Sequence, residues 1–424
     1  MNKKKITLIL IFFIVVLITF NFNQVRSVLR ANLPHNTKVF IKELVFGKQY
    51  ISEIQTYRLS NYNQKSLPKT EFETINLKKI NLDIKSTERI HYNKAKGAQI
   101  KSKKFYLEFV DENLIVVGYD GKFNFIEDLN DPVLKVISSN LDELNIYSVL
   151  DIAYIKEEIY ISLSSFRNAK SSCSYLELLK AKFNKKKLNF KKVYETNVCL
   201  ENTLGGRIID YRHNNIDGVL LSTGASDKER HLAQKDDSPY GKILFLSLDG
   251  KIKKNFSKGH RNPQGLLKYQ DVVLSTEHGP YGGDEVNKIV FEKNYGFPVA
   301  SYGDSYFFDK IFENRQNYEF KKNHIKNNFA EPIFSFVPSI GISEIINVPE
   351  TFSKYWHNNF LITSLNGRSI YRVKFDDNFN KLLFLEKIFI GERIRDIKFN
   401  KKLNSFILAL EESGSLGVLS SPQS

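Results

Sequence analysis

From about residue 96 one unit recurs along this chain: a short apolar run, a tight turn signal, and a second apolar run. FYLEFV leads into NLIVVGYDGKFNFI, with Asp120-Gly121 as the turn between its halves, and DIAYI meets EIYISLSSF around Lys156-Glu157. The unit returns in GRIIDYRHNNIDGVLLSTG with a turn expected at Asp217-Gly218, and in KILFLSLDGKI with Asp249-Gly250. It returns again in QGLLKYQDVVLSTE, NFLITSLNGRSIYRVKF and RIRDIKFNKKLNSFILALE. Long amphipathic helices have no place in such a pattern. Four-stranded units at a spacing of roughly 45–55 residues are the mark of a β-propeller, and the stretch accommodates about six of them. The expected fold is therefore all-β, a six-bladed β-propeller of four-stranded blades over 96–424. A long β-sandwich or tandem barrels is the structural alternative.

Hydrophobic residues make up 42% of the 424-residue chain, enough for a core and too many for disorder. The formal charge of +15 comes from scattered lysines, with no arginine-rich arm or basic helix. That pattern describes a solvated basic surface and argues against a nucleic-acid partner.

The first residues carry a targeting signal. Lys3, Lys4 and Lys5 precede an apolar run over 6–20, broken only by Thr7 and Thr19. No small-residue cleavage site follows, so 1–23 is expected to be an uncleaved signal-anchor, with a cleaved signal peptide as the alternative. The lysines favour a cytoplasmic N-terminus. The body is thus expected outside the cytoplasm, facing the periplasm, attached to the membrane by this N-terminal segment or released if it is cleaved. Residues 24–95 are expected to form an extension or stalk. Cys173 and Cys199 are the only cysteines. In an exported chain they predict a disulfide, with two separate buried thiols as the alternative.

Residues 259–303 contain the most chemistry. GHRNPQG, STEHGPYGGDEVNKI and KNYGFPVASYG set polar side chains on loops punctuated by seven glycines and three prolines. Turn carbonyls at Gly279 and Pro280, together with Glu285, are the hard oxygen donors that Ca²⁺ prefers. Surface acids on a glycine-rich turn would look the same. Arg393 and Arg395 in GERIRDI point to one face of a strand and, with Arg261, would form a pocket for a polycarboxylate or phosphate.

GHRNPQG, TEHGPYGGDE, NYGFP and SYGDSY together resemble the glucose/sorbosone dehydrogenase family, six-bladed propellers that oxidise aldoses with pyrroloquinoline quinone (PQQ) and calcium. The resemblance extends more weakly through LAQKDDSPYGKILFLSLDG, FVPSIGIS, FLITSLNG and GERIRDI, over about residues 100–420. It implies a PQQ pocket on the propeller axis held by Arg261, Asn262, Tyr306, Arg393 and Arg395. It also implies a cofactor-activating calcium beside the Gly279 and Pro280 carbonyls, and a structural calcium at Glu285 and Tyr295. The substrate it implies is a small-molecule sugar or related alcohol.

Three departures cut against that reading. Where the family has a general-base histidine two residues before a Gly-Gly pair, NTLGGRIID places Thr203. A hydroxyl cannot take a proton near neutral pH as imidazole does, and losing a positioned base costs about 10²–10⁴ in rate. Asn366 stands where the family has a cofactor-contacting lysine, with Arg368 two residues on as a substitute. YSVLDIAYI lacks the family's glutamine. Among the histidines, His213 is expected in an exposed loop, His260 and His278 in structural roles, and His231 is the best replacement base. Two functions remain open: a PQQ- and Ca-dependent aldose dehydrogenase with an impaired catalytic position, or an inactive propeller that binds a sugar, glycan or protein. A hydrolase or lyase finds no nucleophile–base pair to support it.

Overall fold

The computed structural model describes residues 75–82, 89–93, 98–168, 170–226, 228–280, 282–303 and 322–421. The chain divides into two compact units, 1–64 with 90–101, and 65–89 with 102–424. Among its described residues, the first unit holds most of a two-stranded sheet, Arg89–Asn93 with Ala98–Ser102. The second unit is the propeller.

The propeller's apolar runs become six antiparallel sheets. Blade 1 runs Phe105–Val110, Asn113–Gly118, Phe123–Ile126 and Lys135–Ser139, and gains a short parallel strand, Lys187–Leu188, from the next blade. Blade 2 is Asn145–Ile155, Glu158–Phe166, Tyr175–Lys182 and Lys191–Glu195. Blade 3 is Gly205–His213, Ile216–Thr223, Lys242–Ser247 and Lys253–Lys258. Blade 4 is Pro263–Tyr269, Val272–Glu277, Asp284–Ile289 and Phe334–Phe336. Blade 5 is Ile342–Asn347, Phe360–Ser364, Ser369–Phe375 and Leu382–Phe389. Blade 6 takes Ile394–Asn400, Ser405–Leu410 and Ser415–Ser420, and borrows its outermost strand from the other end of the propeller sequence. That strand is Asn76–Asn81, antiparallel to Ser415–Ser420 in a register running from Asn76 opposite Ser420 to Asn81 opposite Ser415. The first strand of each blade packs beside that of the next, and blade 6 beside blade 1, so the ring closes around the axis.

Why the runs are continuously apolar follows from this packing. Six hydrophobic clusters lie one between each pair of neighbouring blades. Alternate residues of a strand point to opposite faces, and here both faces are covered. In Lys242–Ser247, Ile243 and Phe245 enter the blade 3–4 cluster while Leu244 and Leu246 enter the blade 2–3 cluster. A sandwich would leave outer faces polar, so the ring excludes that alternative.

Two sequence expectations change. The extension expected over 24–95 and the propeller expected over 96–424 do not divide there: Asn76–Asn81 is a propeller strand, and 90–101 falls in the other unit. A short, mostly polar strand with one buried residue carries no local sign of a partner more than three hundred residues away. The turn expected at Asp217-Gly218 lies at Asn214-Asn215, both with positive φ (47° and 64°), a conformation asparagine tolerates. Gly218 is inside a strand instead, where a Cβ would meet the Leu246 carbonyl at 2.4 Å. The expected pair, Cys173–Cys199, is a disulfide with Cα atoms 5.5 Å apart. No helix among the described residues is long and apolar enough to cross a membrane. The segment expected to do so, 1–23, lies outside them.

Candidate active site

In a propeller the inner strands all start from the same end of the axis, so loops that enter them converge there. Thr203 lies just before Gly205–His213 of blade 3, Asn262 just before Pro263–Tyr269 of blade 4, and Arg393 just before Ile394–Asn400 of blade 6. Three candidates far apart in sequence thus reach one end.

Blade 4 builds the densest part. GHRNPQG carries the chain from blade 3 into blade 4, and only glycine fits its first place: Gly259 has φ 79°, and a Cβ would meet Asn294 Oδ1 at 2.2 Å. Glu277 organises the loop. Its carboxylate accepts from His260 Nδ1 at 2.9 Å, from the Arg261 backbone N–H, and from the Asn262 backbone N–H at 3.3 Å. His260 is fully buried, bonded through Nε2 to Ser257 Oγ at 2.8 Å and stacked on Tyr295. Its role is structural, as expected. His278 is likewise committed, bonding the Ile342 carbonyl through Nε2, and burial pulls its pKa down.

The GPYGGDE hairpin is fastened from beneath by Asp284. One oxygen of this buried carboxylate accepts from Gly279 N–H at 3.1 Å, the other from the N–H groups of Ile340 and Ile342 at 2.9 and 3.0 Å. Gly279 and Pro280 are thereby held at the wall of a small open cleft, which Arg261, Glu277, Glu285 and Tyr295 also line. Glu285 stands directly across the strand pair from Glu277. Burial, with Glu277 adding its negative charge, pushes the Glu285 carboxyl up to about 8. The Tyr295 hydroxyl is engaged elsewhere, donating to the Lys288 carbonyl, which leaves its main chain as the donor a metal could use. Among the described residues, no group of three or more His, Cys, Asp or Glu side chains could by itself hold a metal. Backbone carbonyls would have to complete any calcium site here.

Arg393 and Arg395 do share a side, but a carboxylate missed in the sequence lies between them. Glu411 receives Arg395 Nε at 2.9 Å and Nη2 at 2.7 Å, with Arg393 Nε at 3.7 Å. Burial would raise Glu411, yet Arg395, Arg393 and Lys104 outweigh it and hold the carboxyl down at about 2. Arg393 Nε is buried without a hydrogen-bond partner among the described residues. Gln264, from the GHRNPQG motif itself, bridges the two halves of the site. Its Oε1 accepts from Arg395 Nη1 at 3.3 Å, and its Nε2 donates to Asn262 Oδ1 at 2.8 Å. Asn262 Oδ1 in turn accepts from Gly205 N–H at 3.0 Å, two residues from Thr203.

Thr203 is buried, its hydroxyl 2.5 Å from Ser174 Oγ beside the disulfide. The other departures also have places. Asn366 is exposed in the tight turn after Phe360–Ser364, and Arg368 is paired with Glu412 at 2.5 Å. His231 is exposed in the short helical turn Arg230–Ala233. His213, expected in an exposed loop, is buried at a strand end against Phe245, Phe256 and Phe291, and burial lowers its pKa. Tyr306 lies outside the described residues.

Under the site, sequence reading also missed Arg207, one of the largest fully buried side chains. Its Nη1 lies 2.9 Å from Asp151 Oδ1, 2.9 Å from Glu344 Oε2 and 3.7 Å from Asp396 Oδ1. It also donates to the Gln264 and Arg395 carbonyls and lies over the Tyr106 ring. Every blade contributes to this hub.

A closed six-bladed ring with charged loops converging at one axial end defines the class: a propeller with an axial ligand site. The sequence pattern of the glucose / sorbosone dehydrogenase family matches residues 148–418, and the chain belongs to that family. Aldose sugar dehydrogenase YliI of Escherichia coli is 28% identical over 233 residues, 51% of this chain and 59% of the relative. The uncharacterized protein slr1608 of Synechocystis is 29% identical over 203 residues, 44% of this chain and 47% of the relative. The chain thus spans about half the length of these curated relatives. Among solved structures, the apo soluble aldose sugar dehydrogenase of Escherichia coli superimposes with a TM-score of 0.60 at 19% identity, covering 82% of this chain and 99% of that one. The PQQ-bound aldose sugar dehydrogenase of Streptomyces coelicolor gives 0.59 at 16% identity, covering 84% and 100%. At such identities these likenesses bear on the fold.

Proposed function

We propose that this protein is a PQQ- and calcium-binding, aldose-dehydrogenase-type propeller working outside the cytoplasm, with its proton-accepting position impaired at Thr203. The observation that carries the reading is the cation–anion arrangement of the axial end. Arg261, Arg393 and Arg395 suit the carboxylates of PQQ, and Arg393, whose buried Nε makes no hydrogen bond among the described residues and lies 3.7 Å from Glu411, keeps donor capacity for such a group. Glu285 beside Glu277, with the main chain of Gly279, Pro280 and Tyr295 in the same cleft, is an oxygen-rich donor set suited to calcium. Bound PQQ would supply a two-electron acceptor for the sugar carbon, and calcium beside it would polarise that acceptor.

The chain's own residues bind and orient. Glu277 fixes the backbone that presents Arg261 and Asn262, and Gln264 ties Asn262 to Arg395. At the position where a base would act, Thr203 presents a hydroxyl already bonded to Ser174. That bond favours the second reading, a binding propeller without turnover. The lysine-led apolar N-terminus and the disulfide support an exported location, attached to the membrane through residues 1–23 or freed by cleavage.

The test uses the purified full-length protein with PQQ and Ca²⁺, following the bound quinone's absorbance and dye-linked oxidation of an aldose panel. Cofactor binding is expected with slow or no turnover, raised about 10²–10⁴-fold by Thr203→His. Absence of PQQ binding would sink the proposal. Fast turnover by the unaltered protein would remove Thr203 from the base position.

A further inference from the structure

Four consecutive backbone N–H groups of GHRNPQG are each held. Glu277 accepts those of Arg261 and Asn262 from the blade 4 side. The other two meet a loop of blade 3: Gly259 N–H donates to the Ala233 carbonyl and His260 N–H to the Gly241 carbonyl, both at 3.1 Å. That loop, 230–241, also reaches the cleft wall at Phe297, since Gln234 Nε2 donates to the Phe297 carbonyl at 2.7 Å and Gln234 Oε1 accepts from Asn294 Nδ2 at 2.7 Å. The loop itself is held by Lys242. This side chain is fully buried, and its Nζ donates to the carbonyls of Leu232 at 3.1 Å, Ala233 at 3.0 Å and Tyr240 at 2.8 Å. Leu232 and Ala233 lie on the outgoing limb and Tyr240 on the returning one, so one ammonium closes the loop across its neck. Three N–H donors meet three acceptors, the full capacity of the group. Among the described residues Lys242 forms no ion pair. Asp236 and Asp237 act on it only as nearby charges, and burial pulls its pKa down to about 8. A buried ammonium answered by carbonyl dipoles is costly, so what Lys242 contributes there is its three bonds. The Ala233 carbonyl takes both Lys242 Nζ and Gly259 N–H, which joins the lysine to the site through a single acceptor.

We propose that Lys242 is a positioning residue of the axial site: through the 230–241 loop its ammonium fixes the backbone of Gly259 and His260 and, together with Glu277, sets the place from which Arg261 meets the ligand. The ligand part rests on the reading of the site as one for PQQ.

Two readouts on the full-length protein separate the proposal from that reading: amide hydrogen exchange without ligand, and PQQ affinity by absorbance in calcium buffer. Lys242→Met keeps an unbranched side chain and removes the donors. It is expected to speed exchange at Gly259 and His260 about 10–100-fold, to leave Val219 and Leu221 in the middle of blade 3 unchanged, and to weaken PQQ about tenfold. Lys242→Ala leaves room for an added cation, so propylammonium is expected to restore slow exchange and propanol is not. Chemical unfolding of each variant checks that it is folded. A folded Lys242→Met protein whose exchange at both amides stays within about twofold of the parent overturns the proposal. Rescue by propanol as complete as that by propylammonium overturns it too, because filling the space would then be enough. Faster exchange with unchanged PQQ affinity overturns the role at the site. If the parent binds no PQQ, the quinone reading falls, and exchange at Gly259 and His260 alone decides the role of Lys242.

Discussion

Glu411 shows how a single residue decides what a pair of arginines can do. The spacing of Arg393 and Arg395 put two guanidiniums on one side, and they are there, but a carboxylate from the turn after Ser405–Leu410 neutralises much of Arg395. Arg393, at 3.7 Å, is the less committed of the two. The ion pair has a pH signature with a definite sign. The Glu411 carboxyl lies at about 2 in the folded protein against 4.5 for an ordinary glutamate. Its contribution is therefore complete above about pH 4.5 and lost as pH falls towards 2, on the order of 3 kcal/mol for the burial and partners it has. Urea unfolding of the parent should weaken over that window more steeply than that of Glu411→Gln. Equal slopes would mean that Glu411 is not ionised against its arginines. At the same scale, most candidate residues could be read from motif text because GHRNPQG and GPYGGDE place them through glycines that no other residue can replace. Glu411 could not, since it stands in no motif and acquires its role from the arginines at the start of the neighbouring strand.

Among the elements, the strand Asn76–Asn81 does the most with the least sequence. NLKKIN reads as part of a polar extension, and only Ile80, followed by Leu82, is buried in the blade 6–1 cluster with Ile407 and Leu416. By pairing with Ser415–Ser420 it completes the four-stranded sheet of the last blade with a strand from the other end of the propeller sequence, tying the two ends together by strand hydrogen bonds. Ile80→Ala should cost about 2–4 kcal/mol in chemical unfolding, the range for a truncated core aliphatic. It should act on the whole propeller as one transition. A separate early transition confined to blade 6 would show the strap to be dispensable for the rest. The hairpin turns were legible wherever glycine carries the positive φ, as at Gly121 and Gly250. They were misplaced where asparagines do the same job at Asn214-Asn215.

For the whole molecule, the Arg207 hub is the feature that joins fold to site. Burial would lower its pKa, but Glu344, Asp151 and Asp396 outweigh that and raise it, so the guanidinium stays charged at the axis. Burial in turn pushes Glu344 up to about 8, opposed by Arg207. Arg207→Met would leave these carboxylates buried without their main cation, at a cost of about 3–5 kcal/mol. Chemical unfolding measures it, and a loss below about 1 kcal/mol would show that Lys398, whose charge also acts on Glu344 and Asp151, balances the acids by itself. Because Arg207 also holds the Gln264 and Arg395 carbonyls, the same variant should loosen ligand binding.

The sequence by itself determined the number and kind of blades, because strands covered on both faces must be apolar throughout and their turns must be punctuated. It also determined the family and the GPYGGDE loop, because tight backbone approach demands particular glycines. Only the tertiary structure decided where the ring closes, which carboxylate lies between the two arginines, and which buried cation stands at the axis. Those depend on contacts between strands tens to hundreds of residues apart, and no local pattern encodes the partner of a charge that is met across a blade seam.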